Sequence, residues 1–439
     1  MLPSLSPFQF SHTEAALATL LRFDFPADGE LSRYFRAHRA LGHTDRGAIA
    51  ENVYAVLRRL RSLEARCRLG AEEAVPAPRS PRRLLLAAHL DAGRNLRELE
   101  PLTRATEREW LAAAKGFSVE GLSPAEALDL PDWLHERLLV RFGAEETVAL
   151  ATALNRPAPL DLRVNTLKTN RKTVLEQLRA EGLAAEAGHL SPLAIRIRGD
   201  KPALARHPLF TSGAIEVQDE GSQLLGILLD PKRGEMAADF CAGAGGKTLL
   251  LGTLMRNTGR LYAFDVSEKR LAKLKPRLQR SGLSNVYPQR LDSEHDVRIK
   301  RLAGKLDKVL IDAPCSGLGT LRRNPDLKWR QTPESVTELS QKQARILAAA
   351  ATLLRPGGCL VYATCSLLTE ENDAIVDAFL AAHPGFTEIS ASTALRKRCD
   401  WPESEPRLKL LPHRHGTDGF FAALLEKQGA GTRSATSPE

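Results

Sequence analysis

The chain has no pair of cysteines in C-x-x-C spacing; its six lie at positions 67, 241, 315, 359, 365 and 399. That absence removes zinc sites built on paired thiolates, and a disulfide framework does not suit an intracellular chain of 439 residues. No metal is expected. No apolar run approaches the ~18 residues that a membrane span requires. The first residues, Met1-Leu2-Pro3-Ser4-Leu5-Ser6, lack a basic segment followed by an apolar core, which argues against a secretory signal. A cytoplasmic protein without membrane partners is the expectation. No internal repeat is visible.

What the chain does have is positive charge. Its 62 basic and 53 acidic residues leave +9, an excess that fits a polyanionic partner, although a merely basic soluble protein fits equally. Hydrophobic residues make up 43%, enough for a packed globular protein of two to four domains.

Residues 12–140 read as helical. Ile49, Val53, Val56, Leu57 and Leu60 share one face of a helix over 46–60, and the stretch from Trp133 through Leu138, Leu139 and Phe142 repeats that character. Arg58, Arg59 and Arg61 fall on the opposite face, which fits either a nucleic-acid surface or a solvated one. Val75 to Arg83 is a proline-rich basic connector. From 145 to 210 the texture changes: strand-like 160–165, helix-like 172–181 and strand-like 193–198 make a small α/β module. From Ala214 strands and helices alternate, which predicts a parallel sheet flanked by helices. Its strands should end at Asp239, Asp265, Asp292, Asp312 and Thr364. The third contains Pro288 and belongs near an edge. Gly419 to Leu425 should close the sheet, and a polar tail runs from Gly429 to Glu439.

Three strings sit just past strand ends, where ligands bind in open parallel sheets. The first is the turn Cys241-Ala242-Gly243-Ala244-Gly245-Gly246-Lys247-Thr248. It is not a phosphate-binding P-loop, because Cys241 stands where the first glycine belongs, and the dinucleotide fingerprint fails at Thr248. The looser loop of adenosyl-methionine enzymes remains, with Asp265 at the next strand end placed to accept from both ribose hydroxyls. The other two strings, Asp312-Ala313-Pro314-Cys315-Ser316-Gly317 and Ala363-Thr364-Cys365-Ser366, each put a thiol after a buried strand. Buried cysteines are usually inert packing, and Cys67, Cys359 and Cys399 are read that way. Cys315 and Cys365, beside Pro, Ser, Gly and Thr at a cleft, are read as reactive. Arg322, Arg323, Lys328 and Trp329 combine basic residues with an indole, the means by which single-stranded RNA is held.

These strings, together with Val217-Gln218-Asp219-Glu220-Gly221-Ser222-Gln223, Arg323 to Trp329 and Thr417-Asp418-Gly419-Phe420-Phe421, resemble the NOL/NOP/Sun family of RNA cytosine-5 methyltransferases, and within it the bacterial Sun/Fmu (RsmB) enzymes. The resemblance covers about 140–427. The family's usual loop reads C-A-A-P-G-G-K, where this chain has Gly243 and Ala244 in place of Ala-Pro. It implies an α/β fold: a Rossmann-like class I methyltransferase domain over 214–428, preceded by a small RRM-like α/β module over 141–213 and an all-helical NusB-like RNA-binding domain over 1–140. It further implies S-adenosylmethionine as cofactor, held by Cys241 to Lys247, Asp265, Asp292 and Asp312. Cys365 would be the nucleophile, Cys315 would help product leave, and Asp312 would lie near cofactor and base. The implied partner is small-subunit ribosomal RNA, acted on by a monomer. Transfer RNA or protein as substrate, and a non-catalytic RNA-binding assembly factor, are the rival readings; intact Cys315, Cys365 and Asp312 argue against the last.

Overall fold

A computed structural model describes residues 2–69, 79–199 and 202–429. Residues 75–78 of the expected connector at 75–83, and all but the first residue of the expected tail, lie outside the described residues. Pro81 instead opens the helix Pro81–Asp91, where a missing N–H costs nothing, and Ser80 caps it. The chain forms two compact units, Met1–Pro157 with Thr320–Pro333, and Ala158–Gly319 with Glu334–Glu439.

The first unit is helical. The helix His43–Arg58 buries Ile49, Val53, Val56 and Leu57 on the face that the sequence spacing marks. Helical structure continues past residue 140, since Asp132–Phe142 is followed by Ala144–Leu154. Leu134 and Leu138 of the former are buried, whereas Leu139 is exposed. The arginines opposite the apolar face are engaged within the unit. Arg59 pairs with the buried Asp129 at 2.8 Å, and Arg61 donates to Leu130 O and Asp132 at 2.7 Å each. Burial lowers Arg58 to about 10.

The stretch around Trp329 departs from the RNA-contact expectation. Its indole Nε1 donates to Leu57 O at 2.7 Å, and Lys328, only 1% exposed, donates to Arg58 O and Asn155 Oδ1 at 2.8 Å each. Both carbonyls belong to the last turn of His43–Arg58, which has no intrahelical donors for them. Lys328 and Trp329 therefore serve as a helix C-terminal anchor rather than as an open phosphate contact and stacking ring. Arg322 and Arg323 beside them are half-buried.

Among its described residues the second unit holds two sheets. The smaller is antiparallel, order β2-β3-β1-β4, from β1 Leu160–Val164, β2 Ala185–Ala187, β3 Ala194–Ile197 and β4 Ile215–Val217. Val174 and Leu178 of the helix Arg171–Ala180 cover one face. The strands of this module run from Leu160 to Val217. The larger sheet contains β5 Met236–Asp239, β6 Arg260–Asp265, β7 Val286–Arg290, β8 Leu306–Asp312, β9 Leu354–Thr364, β10 Phe386–Ile389, β11 Leu408–Leu410 and β12 Phe420–Lys427. Its order is β10-β12-β9-β8-β5-β6-β7, with β11 also on β12. The strands β5 to β9 run parallel and β10 to β12 join antiparallel. Pro288 lies on β7, at the edge as its missing N–H demands, but β7 stops at Arg290 rather than at Asp292. The strand after Gly419 is not the edge; β10 lies beyond it.

Alternation along the inner strands divides the core. Val309, Ile311, Leu360 and Tyr362 face one helical layer, while Leu310, Val361 and Ala363 face the other. Both faces are covered, which explains near-continuous apolar runs in β8 and β9.

Burial holds the Lys328 amine at about 7, below the usual 10.5. Between those values the unfolded chain binds the additional proton, so this residue makes stability rise as pH climbs from about 7 to about 10.5. In Lys328→Met that contribution disappears. Thermal midpoints at about pH 7 and pH 9.5 should then lie closer together than in the parent protein; an unchanged difference would show the amine to be solvated.

Candidate active site

The carboxyl ends of β5, β6 and β8 open on one cavity of about 880 Å³ within the second unit. It lies where the chain leaves β5 first toward β6 and later returns on its other side with β8, the switch point at which open α/β sheets bind ligands. Its walls bring together the loop residues Cys241, Ala242, Gly243, Ala244, Gly246 and Lys247, the strand-end acids Asp239, Asp265 and Asp312, and both Cys315 and Cys365. Lys342, Arg270 and Lys273 add positive charge at the rim.

The loop after β5 is tied down from below. Gly245 has φ +85° and lies so close to Leu274 that a Cβ would sit 2.1 Å from Cδ1, so it supports the loop without lining the cavity. Asp265 Oδ2 accepts the Gly243 N–H at 2.8 Å, and Oδ1 accepts the Ser267 N–H at 2.7 Å. Each oxygen retains a lone pair for a ligand in the cavity. The Gly246 carbonyl accepts from buried Arg163 at 2.6 Å, and the Ala244 carbonyl accepts from Arg277 at 2.7 Å. Neither arginine is singled out by the sequence, because a charged residue alternating along a strand or helix gives no sign of what it will meet.

Lys247 points back across the cavity. Its Nζ lies 2.6 Å from Asp312 Oδ2. Burial pulls the amine down, but the Asp312 carboxylate outweighs it and holds the pKa above the usual lysine value. Asp239 is the opposite case. Burial pushes it up to about 7, partly offset by the Thr248 hydroxyl on Oδ2, and its Oδ1 makes no hydrogen bond among the described residues. Asp292 is not part of the cavity wall. Its side chain is 78% exposed and pairs with Arg290 at 3.3 Å, while Leu291, Ser293 and Glu294 line the wall there. The strand ends two residues earlier than expected, so Asp292 falls on the turn beyond.

At the other end of the cavity the two thiols meet. Cys315 Sγ and Cys365 Sγ are 3.4 Å apart and unbonded. The hydrogen bond to Cys365, with burial, raises the Cys315 thiol well above the usual value. Burial does the same to Cys241, which lines the cavity as an inert thiol. Cys67 and Cys399 are likewise raised by burial, to about 12 and about 11.

The profile of the 16S rRNA methyltransferase RsmB/F family matches residues 226–426, and that of the ferredoxin-like domain of RsmF/B-like methyltransferases matches 130–203. A probable ribosomal RNA small subunit methyltransferase B of Synechocystis is 34% identical over 436 residues, 94% of this chain and 97% of the relative. The chain belongs to the RsmB/F family. The ribosomal RNA small subunit methyltransferase B of Sodalis glossinidius is 36% identical over 312 residues, 70% of this chain and 69% of the relative. The crystal structure of PH0851 aligns with a TM-score of 0.77 at 29% identity, covering 97% of this chain and 100% of that one. This family member is an S-adenosylmethionine-dependent methyltransferase, and its relatives are named as methyltransferases of ribosomal RNA. Its site suits that cofactor: two paired-but-unsaturated carboxylate oxygens on Asp265, an orphan buried oxygen on Asp239 for a cationic group, and a small-residue loop between them. Among the described residues no helix is long and apolar enough to cross a membrane.

Asp265→Ala should weaken cofactor binding by roughly 1.5–3 kcal/mol, the loss of hydrogen bonds to a charged acceptor. Calorimetry on the folded variant would read this as a tenfold or larger rise in Kd. Unchanged affinity would remove Asp265 from the cofactor site.

Proposed function

We propose that this enzyme methylates carbon 5 of a cytosine in 16S ribosomal RNA through a covalent adduct, with Cys365 as nucleophile and Cys315 as the group that clears the product. The observation that carries the reading is the 3.4 Å approach of two free thiols beside Asp312 in a cavity that fits the cofactor. Sulfurs that close can serve neighbouring carbons of one ring. The basic Lys342, Arg270 and Lys273 at the rim suit a phosphate backbone.

Bound S-adenosylmethionine supplies an electrophilic methyl group. Carbon 5 of cytosine is too weak a nucleophile to take it unaided. Addition of the Cys365 thiolate to carbon 6 breaks the 5,6 double bond and moves its electron pair to carbon 5, which is covalent catalysis. Asp312 would stabilise protonation of the ring nitrogen during addition. After methylation the Cys315 sulfur takes the carbon 5 proton, the electron pair of that C–H bond re-forms the 5,6 double bond, and the Cys365 sulfur departs with the C–S pair as thiolate. The 3.4 Å approach of the two sulfurs supports that role for Cys315. The target base must be unstacked to reach the cavity. Cofactor contacts from Cys241 to Lys247, and from Asp265, complete the assignment.

The two cysteines should fail differently. Cys365→Ala should abolish both methylation and the RNA adduct. Cys315→Ala should retain attack and methyl transfer but accumulate a methylated protein–RNA adduct, seen as a cofactor-dependent shifted band on denaturing gels. A trapped adduct in the Cys365 variant would reverse the roles, and normal turnover in both would end the covalent mechanism.

A further inference from the structure

The serine that follows each cysteine is not used by this chemistry, yet both converge on one carboxylate. Glu371, in the short helical turn Thr369–Glu371, is completely buried. Its Oε1 accepts the Ser316 N–H at 2.8 Å and Gln343 Nε2 at 2.9 Å. Its Oε2 accepts the hydroxyls of Ser316, at 2.5 Å, and of Ser366. The hydroxyls also touch each other at 3.2 Å. Gln343 reaches on to Pro314 O at 3.0 Å, so the residues on both sides of Cys315 are held.

We infer that Glu371 is the positioning residue of the two thiols, with Ser366 the tether for Cys365 and Ser316 the tether for Cys315. The physical basis is that a carboxylate without water must keep its hydrogen bonds, so the donors cannot drift without leaving charge unsatisfied. Each of the two serine donors is the immediate neighbour of a thiol, and the thiols hold each other only through a 3.4 Å sulfur contact. One acceptor oxygen shared by two hydroxyls therefore fixes the distance between loops from different strands. The inference rests on the two-thiol reading above, and it assigns the tethers separately: loosening Ser366 impairs attack, and loosening Ser316 impairs elimination.

The test compares Ser366→Ala, Ser316→Ala and Glu371→Gln with Cys365→Ala and Cys315→Ala, all as full chains with substrate RNA and S-adenosylmethionine. Ser366→Ala should slow single-turnover adduct formation by about tenfold or more, a displacement of under 1 Å sufficing for that. Ser316→Ala should form the adduct at the parental rate and accumulate it. Glu371→Gln should show both defects, with Kd for cofactor and RNA within about twofold of the parent. If both serine variants slow the same step, or neither slows any, or cofactor affinity falls with the rate, Glu371 is only packing between loops. The serine pair decides the matter even if Glu371→Gln does not fold. Failure of the cysteine variants to separate attack from release would instead overturn the two-thiol reading, and the tether assignment with it.

Discussion

Parallel pairing of β8 with β9 sets Asp312 opposite Ala363, and the ladder continues one step further through Ala313 N–H to Ala363 O at 2.8 Å. Because side chains alternate along a strand, a slip of β8 by one residue would turn Val309 and Ile311 into the opposite helical layer and Leu310 into theirs, so that neither layer would pack as it does. The register is thus held by the core. Everything past the strand ends inherits it: two loops leave side by side, and their thiols arrive within van der Waals reach. Further contacts extend the register into the loops. Gly319 donates to Cys365 O at 2.8 Å, and its missing Cβ allows Gly419 O to approach; an added Cβ would lie 2.2 Å from that oxygen. The Thr417-Asp418-Gly419 string thereby belongs to the same construction, as a backbone wedge beside the cysteine loops.

Charge in the cavity is arranged in layers of decreasing solvation. Asp239 is pushed toward neutrality by burial, the Asp312 carboxylate holds the Lys247 amine protonated, and exposed cations line the rim. One loop reaches both ends of the cavity. Its backbone, braced by Arg163, Arg277 and Asp265, fits the cofactor, while its lysine side chain crosses toward the thiols. A change in the loop would therefore be felt in binding and in chemistry together.

The sequence was informative where local rules decide the outcome. Alternating or continuous apolar runs placed β1, β3, β5, β6, β8, β9 and β12, and Pro288 marked the edge, since these follow from pleat and hydrogen bonding alone. The loop, Asp265, Asp312 and both thiols were legible as strand-end residues, and the structure brings them to one cavity. What could not be read was the fate of polar groups whose partners lie far along the chain. Lys328 and Trp329 look like nucleic-acid ligands in isolation, but two carbonyls at a helix end about 270 residues earlier claim their hydrogens. Glu371, Arg163 and Arg277 carry no local pattern either. Asp292, expected at a strand end beside the cofactor, falls instead on the turn beyond β7, which ends two residues earlier.

The anchoring of Lys328 and Trp329 has a consequence for biosynthesis. Ala27 N–H, Arg58 and the carbonyls of Leu57 and Arg58 all find partners in residues 322–329, although those partners are encoded far downstream. A ribosome delivers the chain from its N-terminus, so the helical half must leave the exit tunnel with that last turn uncapped and a site for the indole unfilled. It can complete its own contacts only once Pro333 has emerged, when the parallel strands β5 to β8 are already made. The first domain to be synthesised is in this sense among the last to be finished.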